Sequence, residues 1–100
     1  MVTKALYARL KAKPGKEPDV EAFLADGLPL AQGEEGTISW YAIKQDDSTY
    51  AIFDTFEDEA GREAHLNGDI AAALKEKADE LFAEPPVISK IDILGAKQPD

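Results

Sequence analysis

The stretch Thr37-Ile38-Ser39-Trp40-Tyr41-Ala42-Ile43-Lys44-Gln45-Asp46-Asp47-Ser48-Thr49-Tyr50-Ala51-Ile52-Phe53-Asp54-Thr55-Phe56 decides the fold. Its two halves, Thr37–Lys44 and Thr49–Phe56, are rich in β-branched and aromatic residues, the side chains that fit a pleated surface. Between them lie four polar residues of turn chemistry, so the stretch predicts an antiparallel hairpin. Upstream, Val20, Phe23, Leu24 and Leu28 share one stripe of a helix. Pro18 suits its first turn, and Asp19 and Glu21 suit the positive end of its dipole. Gly27 and Pro29 weaken its end, and Gly33 to Gly36 reads as a loop. Further upstream, Lys4 to Lys13 alternates, with Leu6, Ala8, Leu10 and Ala12 opposite Tyr7, Arg9 and Lys11, and Pro14-Gly15 ends that strand. Downstream, Glu57 to Asn67 reads as a helix capped by Asp58 and stopped by Asn67-Gly68. Asp69 is placed to cap a further helix with the stripe Ile70, Ala73, Leu74, Ala78, Leu81 and Phe82, closed by Pro85-Pro86. Val87 to Ala96 reads as the last strand.

The order β-α-β-β-α(α)-β is the split pattern of ferredoxin-like α+β domains: a four-stranded antiparallel sheet with helices on one face. One domain over residues 1–97 is expected, with 98–100 a frayed tail. Helices cover one side of such a sheet only. Trp40 and Tyr41, and likewise Ile52 and Phe53, put apolar side chains on both sides of the hairpin, the pattern of strands buried on both faces. A second copy of the chain is the economical cover, giving a homodimer; a monomer with a partly apolar, solvated face is the alternative.

The formal net charge of −9 repels phosphate backbones and anionic lipid, so neither nucleic acid nor a membrane surface is an expected partner. The chain contains no Cys, which removes disulfides, thiolate catalysis and zinc–thiolate sites together. Met1-Val2-Thr3-Lys4 leads into an alternating segment rather than an apolar run with a cleavage site, so a cytoplasmic location is expected.

Glycine-rich phosphate loops, nucleophile elbows and His-Glu-x-x-His pairs are all missing from the sequence. The pairs Glu34-Glu35 and Asp46-Asp47 and the run Glu57-Asp58-Glu59 read as solvated charge. His65, the single histidine, shares a helical face with Gly61 and Gly68, which leave room beside it. An imidazole there can bind or deprotonate a phenolic hydroxyl near neutral pH, or it can simply bond local carbonyls or a neighbouring carboxylate. Trp40, Tyr41, Tyr50, Phe53 and Phe56 form an aromatic group on the hairpin, open to reading as pocket wall or as core and interface.

Several stretches resemble the antibiotic biosynthesis monooxygenase family. Ala5 to Lys16 is similar to its opening strand and turn, and Glu35-Gly36-Thr37-Ile38-Ser39-Trp40-Tyr41 to its approach to the second strand. Phe53-Asp54-Thr55-Phe56, followed by Glu59 to Leu66, is similar to its aromatic-acid strand and its helix ending in His-Leu. The resemblance implies a dimeric α+β barrel with a cavity between sheet and helices. It also implies oxidation of phenols or quinols by molecular oxygen, with neither metal nor organic cofactor. By the same resemblance His65, Asp54 and Asn67 are candidate catalytic residues, and Trp40 and Phe53 candidate substrate-binding walls. A glutamate of the family's third strand is here Asp54, and Ile70 to Leu74 lacks the histidine of the haem-degrading branch, so haem is not implied. The leading expectation is a cofactor-independent monooxygenase acting on a small aromatic. Its rival is a non-catalytic dimeric module that binds a small ligand or serves a stress response on the same fold.

Overall fold

A computed structural model describes residues 1–99; Asp100, the last residue of the expected tail, lies outside them. The elements are β1 (Lys4–Lys11), α1 (Glu17–Gln32), β2 (Ser39–Lys44), β3 (Thr49–Phe56), α2 (Glu59–Leu66), α3 (Asp69–Leu81) and β4 (Val87–Asp92). The strands form a four-stranded sheet in the order β2-β3-β1-β4, every neighbouring pair antiparallel. This is the ferredoxin-like α+β arrangement, with β2 and β4 at the edges.

Asp46 makes the hairpin turn. Its Oδ1 accepts from the backbone N–H groups of Ser48 (3.0 Å) and Thr49 (2.8 Å), a local bond that substitutes for ladder pairing. β2 starts at Ser39 rather than Thr37, because the Thr37 N–H turns back to the Glu34 carbonyl and only from Ile38 does the backbone bond to β3. β4 stops at Asp92, well short of Ala96. Lys4, its partner there, is the first residue of β1, and after the Ile93–Thr3 bond the tail has no neighbour to pair with. Two helix boundaries also differ from the sequence pattern. α1 runs through Gly27 and Pro29 to Gln32; a Cβ on Gly27 would lie 3.2 Å from the Trp40 ring, so this glycine lets α1 settle onto the indole. Asp69 is the first residue of α3, whose cap is Gly68. Asp58 caps α2 as expected, its Oδ1 accepting from Gly61 N–H at 3.0 Å.

Strand alternation sorts the hairpin aromatics. The register joins Trp40 to Asp54 and Tyr41 to Phe53, so Trp40, Tyr50, Ile52, Asp54 and Phe56 lie on the helix side, and Tyr41 and Phe53 on the other. The core packs Ala8, Leu10, Tyr50 and Ile52 of the sheet against Val20, Leu24, Leu74, Leu81 and Phe82. Tyr50 is a core residue whose hydroxyl donates to Glu21 Oε2 at 2.6 Å, which is also 3.0 Å from Lys44 Nζ. Burial, with Glu21 beside it, pushes the Tyr50 phenol up to about 12, so it stays neutral. Arg62 ties α2 down: its Nη1 donates to the Ala5 and Ile91 carbonyls, 3.3 and 3.2 Å away, while Glu59 holds its other nitrogens. That anchor sets the height of His65, one helical turn later.

Candidate functional site

The site begins with a charge where an apolar residue would be usual. Asp54 sits mid-β3 on the helix side and is 1% exposed. A carboxylate so placed persists only with a partner. The partner is His65 of α2, itself 7% exposed, whose Nε2 lies 2.9 Å from Asp54 Oδ2. The opposite ring nitrogen, Nδ1, lies 2.6 Å from Glu34 Oε1. Thr37 steadies Glu34 by donating its hydroxyl to the same oxygen at 2.8 Å. Phe56 closes the ring's flank, centroid to centroid 5.5 Å.

Glu34 belongs to the loop between α1 and β2, and glycines on both sides of the contact bring it here. A Cβ on Gly61 would lie 2.9 Å from the Gly36 carbonyl oxygen, and one on Gly36 would lie 3.1 Å from Gly61 Cα, so backbone meets backbone. The room that Gly61 and Gly68 leave beside His65 is therefore filled by the loop and its carboxylate. Reading Glu34 as solvated charge is corrected by this contact. The local sequence shows only an acidic pair between two glycines, and nothing in it signals that the loop folds back onto α2.

Two carboxylates on one imidazole favour the doubly protonated ring, since only the imidazolium donates from both nitrogens. Burial pulls the His65 pKa down, but the hydrogen bonds and negative charge of Asp54 and Glu34 outweigh it, and the value rises from 6.5 to about 9. His65 is thus a cation at neutral pH with both N–H groups spent. Both ring nitrogens face carboxylates, which leaves neither free. Asp54 Oδ1, by contrast, is buried without a hydrogen-bond partner.

Asp54 and His65 line a cavity of about 30 Å³ between sheet and helices, whose other walls are Leu6, Ala8, Ile52, Leu66, Ile70, Ala71, Leu74 and Ile88. It admits one water-sized group. Leu66, Ala71, Leu74 and Ile88 also line an open groove of about 430 Å³ between α3 and β4, completed by Lys75, Ala78 and Pro86. The two spaces share these four walls and so adjoin each other.

Of the five residues singled out from sequence, the structure joins His65 and Asp54 and places the other three elsewhere. Trp40 is under α1, lining a separate depression with Leu28, Ala31 and Gln32. Phe53 lies on the opposite side of the sheet from His65, beside Tyr41 and Ile93. Asn67 is exposed and donates its Nδ2 to the Glu63 carbonyl at 2.9 Å, closing the end of α2. Among the described residues no group of three or more His, Asp or Glu side chains is arranged to hold a metal ion. None of the described helices is long and apolar enough to cross a membrane.

The sequence profile of antibiotic biosynthesis monooxygenases matches residues 5–77, which carry β1 through most of α3 and all three members of the Glu34–His65–Asp54 cluster. The chain belongs to the antibiotic biosynthesis monooxygenase family. Within known structures it is similar to a protein of unknown function from Nitrosomonas europaea, 53% identical over 100% of this chain and 97% of that one, with a TM-score of 0.97. It also shares its fold with Rv0793 from Mycobacterium tuberculosis (16% identity, 96% and 99% of the two chains, TM-score 0.84). PA3566 from Pseudomonas aeruginosa is alike at the same level (18% identity, 95% and 97%, TM-score 0.80). No curated protein gives a significant match. The matched stretch carries β1 through most of α3, and in this chain Glu34, His65 and Asp54 meet between sheet and helices.

Proposed function

We propose that this member of the family is a monooxygenase that oxidises a phenolic or quinol-type aromatic with molecular oxygen, without metal or organic cofactor. The observation that carries the reading is that Asp54, whose Oδ1 has no hydrogen-bond partner, lines with His65 a cavity whose other walls are apolar. A substrate hydroxyl donates to that oxygen, and Asp54 takes the proton as the electron-rich anion forms and reacts with oxygen. A substrate RH2 that gains one oxygen atom leaves as R=O, and the second oxygen departs with the two hydrogens as water. The apolar walls keep bulk water away from the anion. His65 is a positioning residue: its charge offsets that of Asp54, and its Nε2–H fixes which carboxylate oxygen stays free. Two chains joined through the uncovered sheet faces complete the assembly in this reading, since Tyr41, Ile43 and Val87 are exposed there.

Oxygen uptake over a panel of hydroquinones tests the proposal. Wild type is expected to consume oxygen with at least one of them, and Asp54→Asn to slow that uptake by about 100-fold, the usual contribution of a positioned base. Equal rates for the two proteins remove Asp54 from the chemistry. A non-catalytic binding module is the second reading, favoured by the inner cavity's size of about 30 Å³, which takes a hydroxyl but not a ring. Ligand-dependent stabilisation with no uptake on any substrate would decide for it.

A further inference from the structure

The groove and inner cavity differ in what they offer a ligand. The groove offers mainly apolar area: Leu66, Leu74, Ala78, Pro86 and Ile88, with Lys75 as its one charged side chain, line about 430 Å³, a volume suited to one or two fused rings. The cavity offers a single hydrogen-bonding atom. Its polar side chains are Asp54 and His65 alone, and both His65 nitrogens already donate to carboxylates, which leaves Asp54 Oδ1. That oxygen is an acceptor, and no wall side chain supplies a donor to it.

We propose that this two-part site selects its ligand by hydrogen-bond donation, holding the hydroxyl form of a one- or two-ring aromatic and releasing the corresponding carbonyl form. The ring lies in the groove, and one hydroxyl fills the hydroxyl-sized cavity and donates to Asp54 Oδ1. A carbonyl in the same place sets lone pairs against lone pairs and leaves two buried acceptors unpaired, a penalty of the kind by which enclosed polar sites reject analogues lacking a required donor. The inference rests on the proposed monooxygenase reading for its biological sense: product would be expelled because oxidation removes the group that held the substrate. The selection itself is an equilibrium property and needs no turnover.

Anaerobic calorimetric titration of the wild-type protein with 2-naphthol, 2-methoxynaphthalene and 1,4-naphthoquinone tests it. The naphthol is expected to bind at least about 10-fold more tightly than either donor-free probe. Asp54→Asn reverses the preference. The Asn carbonyl takes the His65 N–H, the amide nitrogen occupies the place of Oδ1, and the cavity then presents a donor, so the quinone gains affinity and the naphthol loses it. Ala71→Phe, which fills the wall common to groove and cavity, abolishes binding of all three probes. Equal affinity of wild type for naphthol and methoxynaphthalene overturns the proposal, as does binding that survives Ala71→Phe or no binding of any probe. The wild-type comparison uses three ligands on one protein, so it stands even if a variant fails to fold. Donor selection without oxygen uptake on any substrate would retain this inference and remove the catalytic one.

Discussion

Phe53 and Asp54 are neighbours in one strand with inverted fates. The carboxylate is 1% exposed beneath the helices, while the phenyl ring faces away from them on the uncovered side of the sheet. Their difference extends to the two faces as wholes. Beneath the helices, Ala8, Leu10, Tyr50 and Ile52 are buried and Asp54 is paired with His65; on the far face, Tyr41 is 57% and Val87 55% exposed. Hydrophobicity alone therefore does not say which side of this sheet is inside. The buried side is the one where α1, α2 and α3 lie, and the Asp54 carboxylate survives there because its counter-charge, His65, arrives from α2.

Breaking that pair has the largest expected effect. Asp54→Ala strips His65 of one of its two carboxylates and is expected to cost about 3–5 kcal/mol, read as a lowered urea midpoint at unchanged slope. A cost below about 1 kcal/mol, the level of an ordinary surface change, would show that the covered face does not depend on the cluster.

Titration probes the same cluster without a substitution. The His65 pKa is raised on folding, from 6.5 to about 9, so the folded protein binds the extra proton between those values. The stability it contributes is complete below about pH 6.5 and is lost as pH climbs through about 9, a decline on the order of 3 kcal/mol. Urea unfolding at intervals across that window measures it, and His65→Gln is expected to flatten the curve. A stability that rises from neutral to alkaline pH in the wild type would refute the doubly donating imidazolium.

A smaller effect comes from the backbone contact that delivers Glu34. Gly61→Ala puts a Cβ 2.9 Å from the Gly36 oxygen and is expected to cost about 1–2 kcal/mol, with the His65 titration midpoint falling as the loop lifts. NMR of the imidazole C–H resonances follows that midpoint directly. On the far face the expectation is smallest for folding and largest for assembly. Tyr41→Ser is expected to change monomer stability by less than about 0.5 kcal/mol while shifting sedimentation toward the lone chain. A Tyr41→Ser variant that sediments as wild type would mean that this face is not where two copies meet.

The element order is legible in the sequence, because it rests on local signals. Alternation in β1, the Gln45–Ser48 turn, the Asp58 cap and the Pro85-Pro86 stop each act within a few residues. The aromatic group could be named but not divided: which of Trp40, Tyr41 and Phe53 shares a face with His65 depends on register and on the side the helices choose. Asp54 and His65 were visible as candidates, yet their pairing and the resulting positive charge on the imidazole were not, since Glu34 reaches the ring across 31 residues of chain.

The amino-acid sequence by itself determined the succession of strands and helices, their turns and caps, and a surface charge hostile to polyanions. Those follow from backbone preference, periodicity and composition, which act over short range or in sum. Only the tertiary structure decided that a loop glutamate and a strand aspartate share one imidazole, and that Asp54 Oδ1 is left without a hydrogen-bond partner. Contacts between residues far apart in the chain exist only once packing has set three separate elements within hydrogen-bond reach.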